Sequence, residues 1–162
     1  MRPGQLRRKD REMDREGCVT CLLECEVGHV GTVGSDGTPY VTPMHYVYEP
    51  GSKRIYMHIS PVKGHLLANL EHSPRVCFEA SQVGPLVAKT PEACKAYQTY
   101  QSVVCFGEMR QVTDVKEKER ISWLLIDKYM VRTGLAVKPT LGPVDGILCL
   151  EMRIDIMTGK RH

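Results

Sequence analysis

The spacing of hydrophobic and polar positions changes several times along the chain, and each change marks an element. Residues 10–25 carry Met13, Gly17, Cys18, Cys21, Leu22 and Cys25 near helical spacing, with Asp10 or Asp14 placed to cap the start. The period then shortens. His29–Val33 is short and β-branched, Ser35-Asp36-Gly37 supplies a hairpin turn, and Thr38–Tyr48 reads as a second strand. Pro43 inside that strand predicts an edge, a bulge or a ligand-facing interruption, because proline cannot donate to a ladder. Pro50-Gly51-Ser52 turns the chain into a third strand, Arg54–Ile59. Gly64–Glu71 reads as a short helix and Arg75–Glu79 as a fourth strand, followed over 83–96 by a loop with one helical turn. Ser102–Val112 is a long strand. Lys116–Met130 is the clearest helix, with Ile121, Leu124, Leu125, Lys128 and Tyr129 on one face. A Gly/Pro-bearing loop over 132–144 leads to the last strand, Gly146–Ile156.

Antiparallel strands joined by hairpins, with helices at the head, middle and late in the chain, do not make a βαβ series. Closing such a sheet removes its exposed edges. The pattern therefore predicts one domain over residues 1–162, mainly β with α, a small antiparallel barrel with flanking helices. It leaves function open.

Composition narrows the class. The 162 residues fit one core, and with aromatic content at 6% that core must be built from Val, Ile, Leu and Met. A net charge of +3 is too weak to argue for nucleic acid. The basic residues of the head, Arg7, Arg8, Lys9 and Arg11, are interleaved with Asp10, Glu12, Asp14 and Glu16, as on a solvated helix start. No apolar run approaches the roughly 20 residues that span a bilayer, and the head has no apolar signal core. Seven scattered cysteines then read as reduced thiols in a cytoplasm.

Three clusters could carry chemistry. Cys18-Val-Thr-Cys21 with Cys25 could be a redox pair or half a zinc site. No second CxxC follows, and the three positions share one helix face, so they read as small core thiols and no metal is expected. His45, His58 and His65 have no metal-ligand spacing. Ser60-Pro-Val-Lys-Gly-His65 places a glycine and polar donors where a strand gives way to a helix. That is either an anion site built on unpaired N–H groups or an ordinary turn. Alternation along residues 54–59 puts Ile55, Met57 and Ile59 on one face, suited to the core. Tyr56 and His58 share the other, which should look onto a polar or ligand-lined space.

Five stretches in order resemble the nitroimidazole-resistance branch of the pyridoxamine-phosphate-oxidase-like, FMN-binding split barrels. They are Arg7–Glu12, Asp36–Tyr48, Ile55–Ser60 with Gly64-His65, Tyr100–Gly107 and Thr158–Arg161. The resemblance implies a six-stranded antiparallel split β-barrel, an intertwined homodimer, and FMN across its interface; FAD, haem or deazaflavin are the other ligands such barrels take. Carried over, the backbone around Thr42, Pro43 and Met44 would face the isoalloxazine ring. His58, Ile59, Ser60, Lys63, Gly64 and His65 would hold ribityl and phosphate, and Gln101, Ser102 and Val103 would reach toward the partner subunit. His58 is the candidate catalytic group. The activity implied is an FMN-dependent oxidoreductase acting on a small molecule, a nitroimidazole or other nitro-aromatic, and recharged by a transiently bound electron donor. The alternative is a flavin- or haem-binding sensor or storage protein without turnover. One departure stands out: Leu66 occupies a position that is commonly basic in the family, so phosphate charge must come from Lys63, Lys53, Arg54 or a group such as Lys160.

Overall fold

The computed structural model describes residues 3–131, 134 and 138–162; part of the loop expected over 132–144 lies outside them. After a short 3-10 turn at Lys9–Arg11, α1 (Arg15–Glu24) starts on Asp14, whose carboxylate accepts from the Gly17 N–H. Seven strands follow among the described residues: β1 (Val27–Val33), β2 (Pro39–His45), β3 (Val47–Glu49), β4 (Arg54–Ile59), β5 (Arg75–Val87), β6 (Tyr97–Val112) and β7 (Leu148–Arg161). Between them lie α2 (His65–His72) and α3 (Val115–Ile126), the latter widening into a π-helical turn at Asp127–Val131.

All the strands join one antiparallel sheet in the order β2-β1-β5-β6-β7-β4-β3. Its two end strands are successive pieces of one chain segment, separated only by Tyr46, so the sheet curls back on itself without a continuous ladder. The six strands expected are thus seven, because the second is broken. The break has a specific cause. The Tyr129 hydroxyl accepts from the Tyr46 N–H at 2.9 Å and lies 2.8 Å from the Tyr46 carbonyl and 2.6 Å from that of Glu26. A side chain thereby satisfies backbone groups that a ladder would otherwise pair. The Tyr46 side chain turns inward, donating to the Leu22 carbonyl at 2.7 Å and meeting Phe78 edge-on.

The core fills the curled sheet. Ile55, Met57, Phe78, Val103, Leu150 and Met152 are fully buried, and α1 plugs one end with Cys18, Cys21, Leu22 and Cys25. A second cluster lies outside the sheet, where Ile121 and Leu125 of α3 cover Tyr56, Val112 and Cys149. Tyr56 is therefore packed under a helix and does not face a ligand space; of the expected Tyr56/His58 face, only His58 emerges. Gly107 sits at a register shift against β7, where any Cβ would run into the Arg153 carbonyl. The span expected as a loop over 83–96 carries β5 on through a shift at Gly84-Pro85 before its short 3-10 turn.

Candidate functional site

The opening between β2 and β4 forms a seam along the curled sheet, and most of the residues singled out in the sequence border it. Val47 pairs with Tyr56, so the same register two residues further on sets His45 opposite His58 and, beyond that, Pro43 opposite Ser60. The seam then reaches the start of α2, where the His65 ring lies 4.7 Å from that of Tyr40. β2 pairs only with β1, which leaves its other edge, carrying the backbone of Thr42, Pro43 and Met44, turned to the seam. Pro43 on this edge strand fits the edge reading of the sequence. The Thr42 hydroxyl is buried and has no hydrogen-bond partner, whereas the Met44 side chain packs on the core.

The α2 end of the seam is built to receive an anion. Gly64 precedes the helix in extended backbone and caps it with no side chain. The first intrahelical bond runs from the Ala68 N–H to the Gly64 carbonyl, so the N–H groups of His65, Leu66 and Leu67 are not taken by the helix. A Cβ at Gly64 would meet nothing within 4 Å, so the approach to these groups is open. Ser60 accepts from the Val62 N–H at 3.2 Å and shapes the turn before the helix. Cationic charge is scarce here. Lys63 pairs with Glu71, while Lys53 and Arg54 open β4 at its far end, and Arg54 lies 3.3 Å from the buried Glu151.

The other end of the seam runs under α3 and its π turn, which form an apolar cavity of about 310 Å³. It is lined by His45, His58, Ser122, Leu125, Ile126, Tyr129, Met130, Leu141 and Ile147. His45 stacks on Tyr129 with ring centroids 4.4 Å apart and planes at 20°. Burial and then the nearby His45 hold the His58 imidazole below its ordinary pKa of 6.5. Sequence reasoning did not single out Tyr129 as a site residue and weighed His45 only as a metal ligand. Their only signals were the strand alternation that sets His45 beside His58 and the position of Tyr129 on the packing face of α3.

The three β6 residues lie elsewhere. Val103 is fully buried in the core, and Gln101, on the same inner face, reaches Glu24; only Ser102 turns outward, paired in register with Lys160. Following the register from His58 through His45, Val27 and Ser81 to Ser102 crosses four strand spacings, about 20 Å around the sheet. One chain does not bring Ser102 to the seam. Beside it, Lys160 lies over the Tyr100 ring, and Arg11 together with Lys160 holds the Tyr100 phenol below its ordinary pKa. The remaining candidates are structural in position. Cys18, Cys21 and Cys25 are buried, with the last two sulfurs 3.8 Å apart, and among the described residues no group of three His, Cys, Asp or Glu is arranged to hold a metal. No described helix is long and apolar enough to cross a membrane.

A curled antiparallel sheet with an open seam, an uncapped helix start at one end and a covered apolar cavity at the other is the architecture of the split barrels. The chain belongs to the pyridoxamine 5'-phosphate oxidase family, which it matches over residues 14–161. In fold it is similar to a candidate 5-nitroimidazole antibiotic resistance protein from Bacteroides thetaiotaomicron VPI-5482 (24% identity, 93% of this chain and 86% of that one, TM-score 0.77). It is also similar to a flavocytochrome from Azotobacter vinelandii (22%, 98% and 72%, 0.79) and to an FAD and haem binding protein from Mycobacterium smegmatis (21%, 93% and 72%, 0.73). No curated protein matches the sequence.

Proposed function

We propose that this chain is an FMN-dependent oxidoreductase that works as a homodimer on a small aromatic acceptor of the nitroimidazole or nitro-aromatic kind. The observation that carries the reading is the seam: a sheet edge with an orphaned buried Thr42 hydroxyl leads directly to the uncapped, open start of α2. A planar ring system along the β2 edge, with its phosphate on the His65, Leu66 and Leu67 N–H groups, would use both. His58, Ile59 and Ser60 would line the span between. When bound, the flavin supplies the two-electron redox chemistry. The chain's own part is to orient that group, exclude water under α3, and present the His58 imidazole N–H as a hydrogen-bond donor to developing negative charge. A nicotinamide or other cellular reductant would recharge it by transient binding.

The homodimer is supported by the outer face of the sheet. Val41, Gly31, Cys77, Phe106 and Ile156 fall in one cross-strand row, and Val41 is 60% exposed. Two such rows packed face to face about a two-fold axis along the strands would lay the His45 end of one chain against Ser102 and Lys160 of the partner subunit. That contact would give Ser102 a place at the His45 end of the flavin site. Light scattering of the flavin-loaded protein should give a dimer; a monomer with flavin fully bound contradicts this assembly.

The absorbance spectrum of the purified protein tests the cofactor, and turnover with NADH and a nitro compound tests the activity. A His58→Ala variant should lose about a hundredfold in turnover with flavin still bound. Unchanged turnover and affinity would remove His58 from the site. The names of two structural relatives favour a second reading, a flavin- or haem-binding protein without turnover. A Soret band, or flavin that no donor reduces, would select it.

A further inference from the structure

The cavity under α3 has features that the flavin reading leaves unused. Its walls are apolar, with Leu125, Met130 and Ile147 prominent, and no charged side chain lines it among the described residues. Its polar groups are few. The Ser122 hydroxyl already donates to the Lys118 carbonyl at 2.8 Å, and the Tyr129 hydroxyl is engaged at the Tyr46 break. That leaves the imidazoles of His45 and His58, neither of which hydrogen-bonds a described side chain or carbonyl. An apolar cavity of ~150 Å³ takes one benzene ring, so about 310 Å³ suits two fused rings. Three fused rings with a ribityl chain would not fit inside. The floor is aromatic, since His45 and Tyr129 already form a stacked pair to which a further flat ring can add.

We propose that this cavity is a binding site for a neutral, planar, bicyclic aromatic molecule carrying a hydrogen-bond acceptor at one edge, which the His45 N–H engages while Leu125, Met130 and Ile147 hold the ring system. Neutrality follows from the walls, where a charged ligand would meet no counter-charge among the described residues. The acceptor follows from the histidines: an imidazole carries at least one N–H whether protonated or not, and a purely hydrocarbon ligand would bury it unpaired. Tyr129 positions the imidazole by stacking and is itself fixed by its bonds at the Tyr46 break. The site adjoins the proposed flavin position at His58 and extends beyond it under α3, and binding there does not depend on a flavin.

Coumarin, a redox-inert planar bicycle with a carbonyl at one edge, is a suitable probe, and naphthalene is its match without the acceptor. Titration of each into flavin-free and flavin-loaded protein, followed by NMR of the Met and Ile methyl groups, reads binding without any turnover. We expect coumarin to bind about tenfold more tightly than naphthalene, the size of one hydrogen bond, and to shift Met130 and Ile147. His45→Phe keeps a ring on Tyr129 but lacks the N–H, so it should abolish the preference and leave naphthalene binding. Met130→Trp should block both probes, with circular dichroism reporting whether each variant folds. The proposal is overturned if wild-type protein binds neither probe, binds them equally, or shifts methyl groups away from the cavity. One-for-one displacement of coumarin by FMN overturns it too, by giving the cavity to the flavin. Failure of the protein to take up flavin, with coumarin still bound, would sink the proposed function and leave this site standing.

Discussion

Tyr129→Phe removes one oxygen at the break between β2 and β3 and keeps the ring stacked on His45. The hydroxyl has a single proton, so it accepts from the Tyr46 N–H and donates to the Glu26 or the Tyr46 carbonyl, two bonds at a time. Tyr46 is fully buried, so losing the acceptor orphans its N–H, at a cost of about 1–3 kcal/mol; the donated bond adds about 1 kcal/mol. The sum is near 3 kcal/mol. For a chain of this size, 1 kcal/mol moves Tm by roughly 2–4 °C, so Tm should fall by roughly 6–12 °C. Urea unfolding should show a lower midpoint at unchanged slope. Amide exchange should accelerate at Tyr46 and Val47 while Val30, across the core, stays protected. A variant within about 0.5 kcal/mol of wild type, a change on the scale of an ordinary surface substitution, would refute the view that Tyr129 holds the break.

Other consequences are equally direct. NMR titration should place the His58 pKa below about 6.5, and His45→Gln should raise it only in part, because burial is the larger cause. With the folded value depressed, the unfolded chain takes up the proton first. The stability from this group is therefore present above pH of about 6.5 and declines as pH falls toward the folded pKa; a His58→Gln variant should lose that part of the acid sensitivity. Gly64→Val should fold normally, its Cβ meeting nothing, yet weaken FMN by more than about tenfold; equal affinity would contradict a phosphate at α2. Cys21→Ala should cost about 1 kcal/mol by core loss and spare flavin binding, and stoichiometric zinc in untreated protein would overturn the core reading of these thiols.

The elements were largely legible because the core is local in pattern. Ile55, Met57 and Ile59 alternate as expected and do face the interior. Strand ends were less legible. β5, β6 and β7 run on past the apolar core through Gln82, Gln98, Gln101, Lys160 and Arg161, where the backbone ladder continues without hydrophobic alternation to announce it. The break at Tyr46 was invisible, since Tyr46-Val-Tyr48 reads as uninterrupted strand and the hydroxyl that stops it comes from 83 residues away. The seam was legible at His58, Ser60 and Gly64-His65, where a strand gives way to a turn and a helix within a few residues. The inward turn of Val103 was also readable: it alternates with Cys105 and Met109 on the core face, which conflicts with a ligand-facing side chain.

The same break ties fold to site. The β1–β2 register, with Val27 opposite His45, sets Tyr46 opposite Glu26, so the Tyr129 hydroxyl stands in for the next rung of that ladder. The ladder with β1 ends there, and the edge of β2 that faces β4 stays unpaired among the described residues. The π turn follows from this arrangement, because widening α3 at Asp127–Val131 lets Lys128 and Tyr129 approach neighbouring parts of the break. The ammonium donates to the Cys25 carbonyl at 2.7 Å and lies 3.9 Å from the centre of the Tyr46 ring, while the Tyr129 phenol reaches the Tyr46 backbone. Seam and cavity are therefore two sides of one packing event, α3 against the β2–β3 junction.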